Sequence, residues 1–140
     1  MEGDKKQSRV AIILHSGAYD RVSYALAIAR AALAMGMEVH LLATFSGLMR
    51  FVKGHTEDLG DDMPPDLQSV ISRGLSRGSF PPITESIQEA KRLGLKVYAC
   101  SAAMGHLNIT IGDLTEEVDT VMGLVYFLEL AENAAINLYV

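Results

Sequence analysis

Two kinds of apolar spacing alternate along the chain. Arg9-Val-Ala-Ile-Ile-Leu-His15 and Glu38-Val-His-Leu-Leu-Ala-Thr44 are short runs of aliphatic, largely β-branched residues. Continuous apolarity without alternation predicts strands covered on both faces, as in a parallel sheet. Leu95-Lys-Val-Tyr-Ala-Cys100 reads as a third strand and Asn137-Leu-Tyr-Val140 as a short last one, with a short strand or turn within Thr115–Val121. Between the first two runs, Val22, Ala25, Leu26, Ala29, Ala32 and Leu33 recur at helical spacing. Asp20 is the expected N-cap of that helix, with Ser16 serving a longer one, and Gly36 closes it. Tyr24, Ile28 and Ala31 lie largely off the stripe. The helix is therefore apolar over more of its circumference than a surface helix needs. A subunit interface and small alanines on an ordinary exposed face explain this equally well.

The later elements follow the same logic. Phe45-Ser-Gly47 is a turn, and Leu48–Val52 a short helix. Thr84 caps a helix over Glu85–Leu93, with Gly94 after it. Ser101–Leu107 makes one or two helical turns, ended by Gly105 or Asn108, both tolerant of positive φ. Gly123–Asn133 is an apolar helix with Leu124, Phe127, Leu128 and Ala131 at core spacing. The order β-α-β-α-α-β-α-β predicts an α/β, flavodoxin-like three-layer sandwich with a mostly parallel sheet. Residues 1–8 read as a disordered polar tail, and 9–140 as one domain with an irregular insertion at about 53–82. That insertion holds Gly54, Gly60, Gly74, Gly78 and all four prolines, with a helix possible over Asp66–Leu75. Long irregular segments are lids, binding loops or mobile surface pieces. Arg50, Arg73 and Arg77 in and beside it could draw an anionic substrate, but solvated surface arginines are the better reading.

Composition narrows the function classes. With 49% apolar and 21% charged residues, the chain is globular and not disordered. The net charge is −5 and no basic patch interleaves with aromatics, so nucleic acid is not an expected partner. No apolar run is long enough to span a bilayer, and the first eight residues lack a signal peptide's apolar core. A single cysteine cannot close an internal disulfide and fits a reducing compartment. A cytoplasmic protein is expected.

The candidate chemistry sits on that cysteine. Cys100 falls where a strand hands over to a helix, and open α/β sheets bind ligands outside the carboxyl ends of their strands. A helix beginning just after the cysteine points free N–H groups and its positive dipole end at the sulfur, an environment that favours a thiolate. The rival reading is a free cysteine packed as a small apolar residue. A CxxC pair and a cysteine-rich zinc site are excluded within one chain, and His15, His40, His55 and His106 show no metal-binding spacing, so neither metal nor cofactor is expected. His15 ends strand one and could serve as base or cationic partner, though a locally bonded loop histidine is favoured; His40 reads as structural. No dinucleotide, Walker or Gly-x-Ser-x-Gly pattern occurs. Glu116, Glu117 and Asp119 read as solvated surface acids.

Three segments carry a family resemblance: Val10–Val22 with the alanine-rich helix after it, Gly36–Leu48, and Val97-Tyr-Ala-Cys-Ser-Ala-Ala-Met104 continuing through Ile109–Leu114, Val118-Asp119, Gly123 and the terminal helix. In order and spacing the chain resembles the DsrE/DsrF-like family, in its DsrE-like, peroxiredoxin-like branch. The resemblance implies a sulfur carrier, sulfurtransferase-like if active, that relays sulfane sulfur through a persulfide on Cys100. It implies a homotrimer or hexamer and a donor or acceptor protein of TusA-like or rhodanese-like type. His15, Ser16, Gly17, Ser101 and Met104 are the expected binding residues around the thiol. Asn108 stands where this branch is expected to carry glycine. The alternatives are a non-catalytic small-ligand-binding or regulatory module, and a thiol redox protein.

Overall fold

A computed structural model describes residues 7–59 and 63–140. Five strands form one sheet: β1 (Arg9–Leu14), β2 (Glu38–Ala43), β3 (Lys96–Cys100), β4 (Thr120–Met122) and β5 (Ile136–Tyr139). Every neighbouring pair is parallel, in the order β4-β3-β2-β1-β5. The α/β layering and the parallel sheet are as expected. Relative to flavodoxin order, the strand outside β1 is the last of the chain and not the second.

The helices are α1 (Tyr19–Ala34), α2 (Phe45–Leu48), α3 (Pro65–Arg77), α4 (Ile83–Arg92), α5 (Ser101–Leu107) and α6 (Leu124–Glu132), with single 3-10 turns at Met49–Phe51 and Ile111–Asp113. Strand side chains alternate between faces, and the registers fix which residues share one. Val10, Ile12, Leu14, Val39, Leu41, Ala43, Val97 and Ala99 line one face and are fully buried. The pair α1 and α4 packs there, α1 through Val22, Ala25, Leu26 and Ala29 and α4 through Ile83, Ile87 and Ala90. The other face carries Ala11, Ile13, His40, Leu42, Tyr98 and Cys100. Its helix is α6, nine residues long, whose Phe127 ring meets Tyr98 edge-on.

Several helix starts differ from the expected ones. The residue before α1 is Ala18, with no side-chain cap; Asp20 sits inside the first turn, where it still complements the dipole. The start of α4 is set by Pro82, and Thr84 bonds elsewhere. Phe45-Ser-Gly47 is already helical, as the start of α2. Within residues 53–82, α3 runs longer at both ends than the expected 66–75. Residues 1–6 of the expected tail lie outside the described residues. Gln7 and Ser8 already bond to the fold, the first donating to Gly36 O and the second accepting from Glu38 N–H. No described helix is long and apolar enough to cross a membrane.

Candidate functional site

Cys100 is the last residue of β3 and the residue immediately before α5. The α5 helix is short because Asn108 takes a left-handed conformation at φ 57°, which Asn tolerates. Ile109 N–H then donates to Met104 O at 2.9 Å, closing the turn. Gly105, the other expected terminator, lies inside the helix. By alternation the Cys100 side chain shares the α6 face of the sheet with Tyr98, opposite Met122 in register. Only 7% of Cys100 is exposed. Ser101 is exposed beside it, whereas Met104 turns into the core. Among the described residues no three His, Cys, Asp or Glu side chains are grouped as a metal site would need.

The other expected site residues lie on the neighbouring loops of the same rim. The His15 ring is exposed and stacks on Tyr139 at 5.8 Å and against Phe45 at 5.6 Å; Phe45 in turn stacks on His106 at 6.1 Å. Four rings thus run along the carboxyl edge from β5 to α5. Phe45 holds φ 44°, rare for a bulky side chain. Ser16 and Gly17 are committed to the fold. Ser16 Oγ accepts from Ala18 N–H, and Ser16 N–H donates to Val140 O. A Cβ on Gly17 would lie 2.6 Å from Ser46 O, so the α1 and α2 loops touch there through bare backbone.

Arg50 is not a solvated surface arginine. It is 4% exposed, and its Nε and Nη2 donate to Gly17 O at 3.0 and 2.6 Å. Its Nη1 donates to Thr56 O at 3.2 Å and to Asp58 O, and the guanidinium lies 5.4 Å from the centre of the Tyr19 ring. A buried guanidinium needs its donors filled, and carbonyls of two separate loops fill them. Glu57, in the same loop, takes hydrogen bonds from Tyr19 Oη (2.6 Å) and from Thr84 N–H and Oγ1 (2.6 and 2.7 Å). Burial, the Glu57 bond and its charge push the Tyr19 hydroxyl well above the ordinary phenol range. These contacts anchor the start of the 53–82 segment to α1 and α4.

The α6 face also carries a polar row. His40 lies between Glu38, 2.5 Å from Nε2, and Tyr98, 2.7 Å from Nδ1. With the carboxylate accepting, Nε2 carries a proton, and in a neutral ring the Tyr98 hydroxyl is then the donor to Nδ1. The bond from His40 holds Glu38 below its ordinary pKa, and burial raises that of Tyr98. Asp119 corrects the reading of a solvated acid. Its Oδ2 accepts from Lys91 Nζ at 2.6 Å and Val97 N–H at 2.7 Å. Burial alone would raise its pKa; these two donors outweigh burial and leave it lowered.

The sequence model of the DsrE/DsrF-like family matches residues 8–138. The chain belongs to the DsrE/DsrF-like family. Among individual proteins, the uncharacterized YrkE of Bacillus subtilis (strain 168) is 27% identical over 161 aligned residues, spanning 97% of this chain and 99% of YrkE. Among solved structures, YchN of E. coli superposes with a TM-score of 0.61 at 14% identity, over 96% of this chain and all of the other. MTH1491 of Methanobacterium thermoautotrophicum, a protein of unknown function, gives 0.59 at 17% identity, over 96% and 98%. At these identities the two structures share the DsrE-like fold, and the likeness says nothing about chemistry.

Proposed function

We propose that this family member carries sulfane sulfur on Cys100. The observation behind the reading is the placement of its single cysteine: at the carboxyl end of a central parallel strand, in the residue before a helix. The step is an exchange without net redox change. The Cys100 thiolate attacks the outer sulfur of a donor persulfide, R–S–SH; a new S–S bond forms, the donor's S–S bond breaks, and RS⁻ leaves with the electron pair. An acceptor thiolate then attacks the outer sulfur of Cys100–S–SH, giving the acceptor persulfide and restoring the Cys100 thiolate. With no second cysteine in the chain, both partners are other molecules, a small thiol or a TusA-like or rhodanese-like protein.

Assembly of the chain with itself belongs to the same reading. The α6 helix is apolar around most of its circumference, and Leu124, Val125, Tyr126 and Leu128 are each at least half exposed. Helices apolar on every side are buried in their working state. A trimer or hexamer closing over α6 fits this better than one closing over α1.

Near-complete burial of the thiol favours a second reading, in which Cys100 is packing only and the protein is a ligand-binding module. Intact-mass spectrometry after incubation with a persulfide donor separates the two. The relay predicts an adduct of about 32 Da that disappears in Cys100→Ser and is discharged by added thiol. An unmodified protein at donor excess removes the relay.

A further inference from the structure

Beside Cys100 the rim holds a polar group that no contact in the fold uses. The β2 backbone runs one residue past Ala43. Thr44 stays extended, at φ −138° and ψ 152°, and its N–H donates to Leu14 O at 3.0 Å. Ala43 pairs with Ala99 in the parallel register, so Thr44 comes opposite Cys100, which is extended as well. Side chains alternate along a strand and partners in register share a face. Both residues therefore project on the α6 side, from backbones about 4.8 Å apart. On its other side Cys100 pairs with Met122, whose thioether has no proton to donate. Thr44 is thus the cross-strand neighbour of the sulfur that carries a donor.

That donor is idle. Thr44 is 8% exposed, and among the described residues its hydroxyl makes no hydrogen bond. Solvent still reaches Oγ1, unlike the closed and unpaired atoms Arg9 Nε, Ser23 Oγ and Arg30 Nε. His15 follows Thr44 in the same row, one residue past the Leu14–Ala43 pair, but its ring is stacked on Tyr139 and Phe45. Side-chain hydroxyls this deep normally have a partner, so an unpaired one signals a group that arrives.

We infer that Thr44 is the hydrogen-bond donor to the Cys100 sulfur in the sulfur relay; the inference rests on that relay and adds a second residue to it. One χ1 rotation carries Oγ1–H toward the sulfur. A neutral thiol is a weak acceptor and leaves the hydroxyl unused, whereas a thiolate accepts strongly. In loading, the bond steadies the thiolate that attacks the donor's outer sulfur. In discharge, the acceptor thiolate takes the outer sulfur of Cys100–S–SH, the S–S bond breaks, and the electron pair stays on the Cys100 sulfur, where Oγ1–H meets it. The threonine keeps its proton in both directions. Stabilising the departing sulfur anion speeds its departure.

Thr44→Val keeps the shape and removes the hydroxyl; Thr44→Ser restores it, and Thr44→Ala replaces the valine variant if that one does not fold. Each full chain is loaded with glutathione persulfide, and loss of the adduct of about 32 Da to added glutathione is timed by intact-mass spectrometry. Thr44→Val is expected to discharge about tenfold more slowly than the parent, and Thr44→Ser at close to the parent rate. Iodoacetamide alkylation of the unloaded folded chains is expected to show the same deficit in Thr44→Val at neutral pH and none at about pH 10, where a thiol ionises without help. Equal discharge in the parent and Thr44→Val, a deficit that serine does not repair, or an alkylation deficit that persists at the higher pH would each overturn the role of Thr44 and leave the relay standing. A parent chain that takes up no sulfur overturns the relay itself, and Thr44's part in it.

Discussion

The two faces of the sheet are built on opposite plans. Under α1 and α4 the inward residues of β1, β2 and β3 are aliphatic and closed to solvent, including Val10, Ile12, Leu41 and Val97. Under α6 the strands carry the row Glu38, His40 and Tyr98, and then Cys100, and the covering helix leaves most of its own apolar surface exposed. Aliphatic packing supplies stability without directing chemistry. Polar and nucleophilic groups are tolerated only where hydrogen bonds satisfy them or a partner arrives. The difference teaches that the thick face holds the fold together, while the thin face keeps its polar row, its cysteine and the exposed apolar surface of α6.

That contrast can be broken by substitution. Leu41→Ala, at the centre of the thick face, is expected to cost about 2–5 kcal/mol in denaturant unfolding, because the cavity it leaves is walled by rigid neighbours. A loss under 1 kcal/mol would mean that the thick face is not the stabilising one. Tyr98→Phe on the thin face removes the hydroxyl bonded to His40 Nδ1 and strands that buried ring nitrogen, for about 1–3 kcal/mol. Replacement of both partners, His40→Leu with Tyr98→Phe, should recover part of that loss; additive losses would show that the pair is not coupled.

Acid titration gives the smallest effect. Glu38 and Asp119 have folded pKa values below their ordinary 4.5 and 3.8. Their contribution is therefore present above those values and is lost as pH falls through the lowered folded values. Lys91 and Asp119 are partly exposed, so the pair contributes about 1 kcal/mol or less. Asp119→Asn should flatten the fall in stability as the pH drops below the ordinary 3.8. An unchanged acid limb would remove Asp119 from the account. Tyr98 works in the other direction: its pKa is raised, so its contribution holds below the ordinary value of 10.0 and is lost at alkaline pH.

Much of the fold was legible in the sequence because parallel strands announce themselves as continuous apolar runs. The handover from β3 to α5 at Cys100 was legible for the same reason, and Asn108 as a terminator because few residues accept φ 57°. The cap residues were not. Thr84 reads as a local cap, but its hydroxyl and N–H go to Glu57, 27 residues earlier. Arg50 and Asp119 read as solvated charges because their partners, Gly17 O and Lys91, lie 33 and 28 residues away. Local pattern gives no account of contacts made across such separations. Exposure of Cys100 was unreadable for a related reason: cover over a strand end is set by neighbouring loops, not by the strand. The excess apolar surface of α1 was visible, but not that α3 would half-cover it and leave an open groove.

The most direct test is the rate at which native Cys100 reacts with iodoacetamide at neutral pH, compared with the same chain unfolded in urea. A sulfur carrier needs a thiol that a donor can reach, so the account predicts folded-state reaction at least as fast as in the unfolded chain. Protection of about a hundredfold or more, with reaction only as fast as the protein opens, would contradict it and leave Cys100 a packing residue.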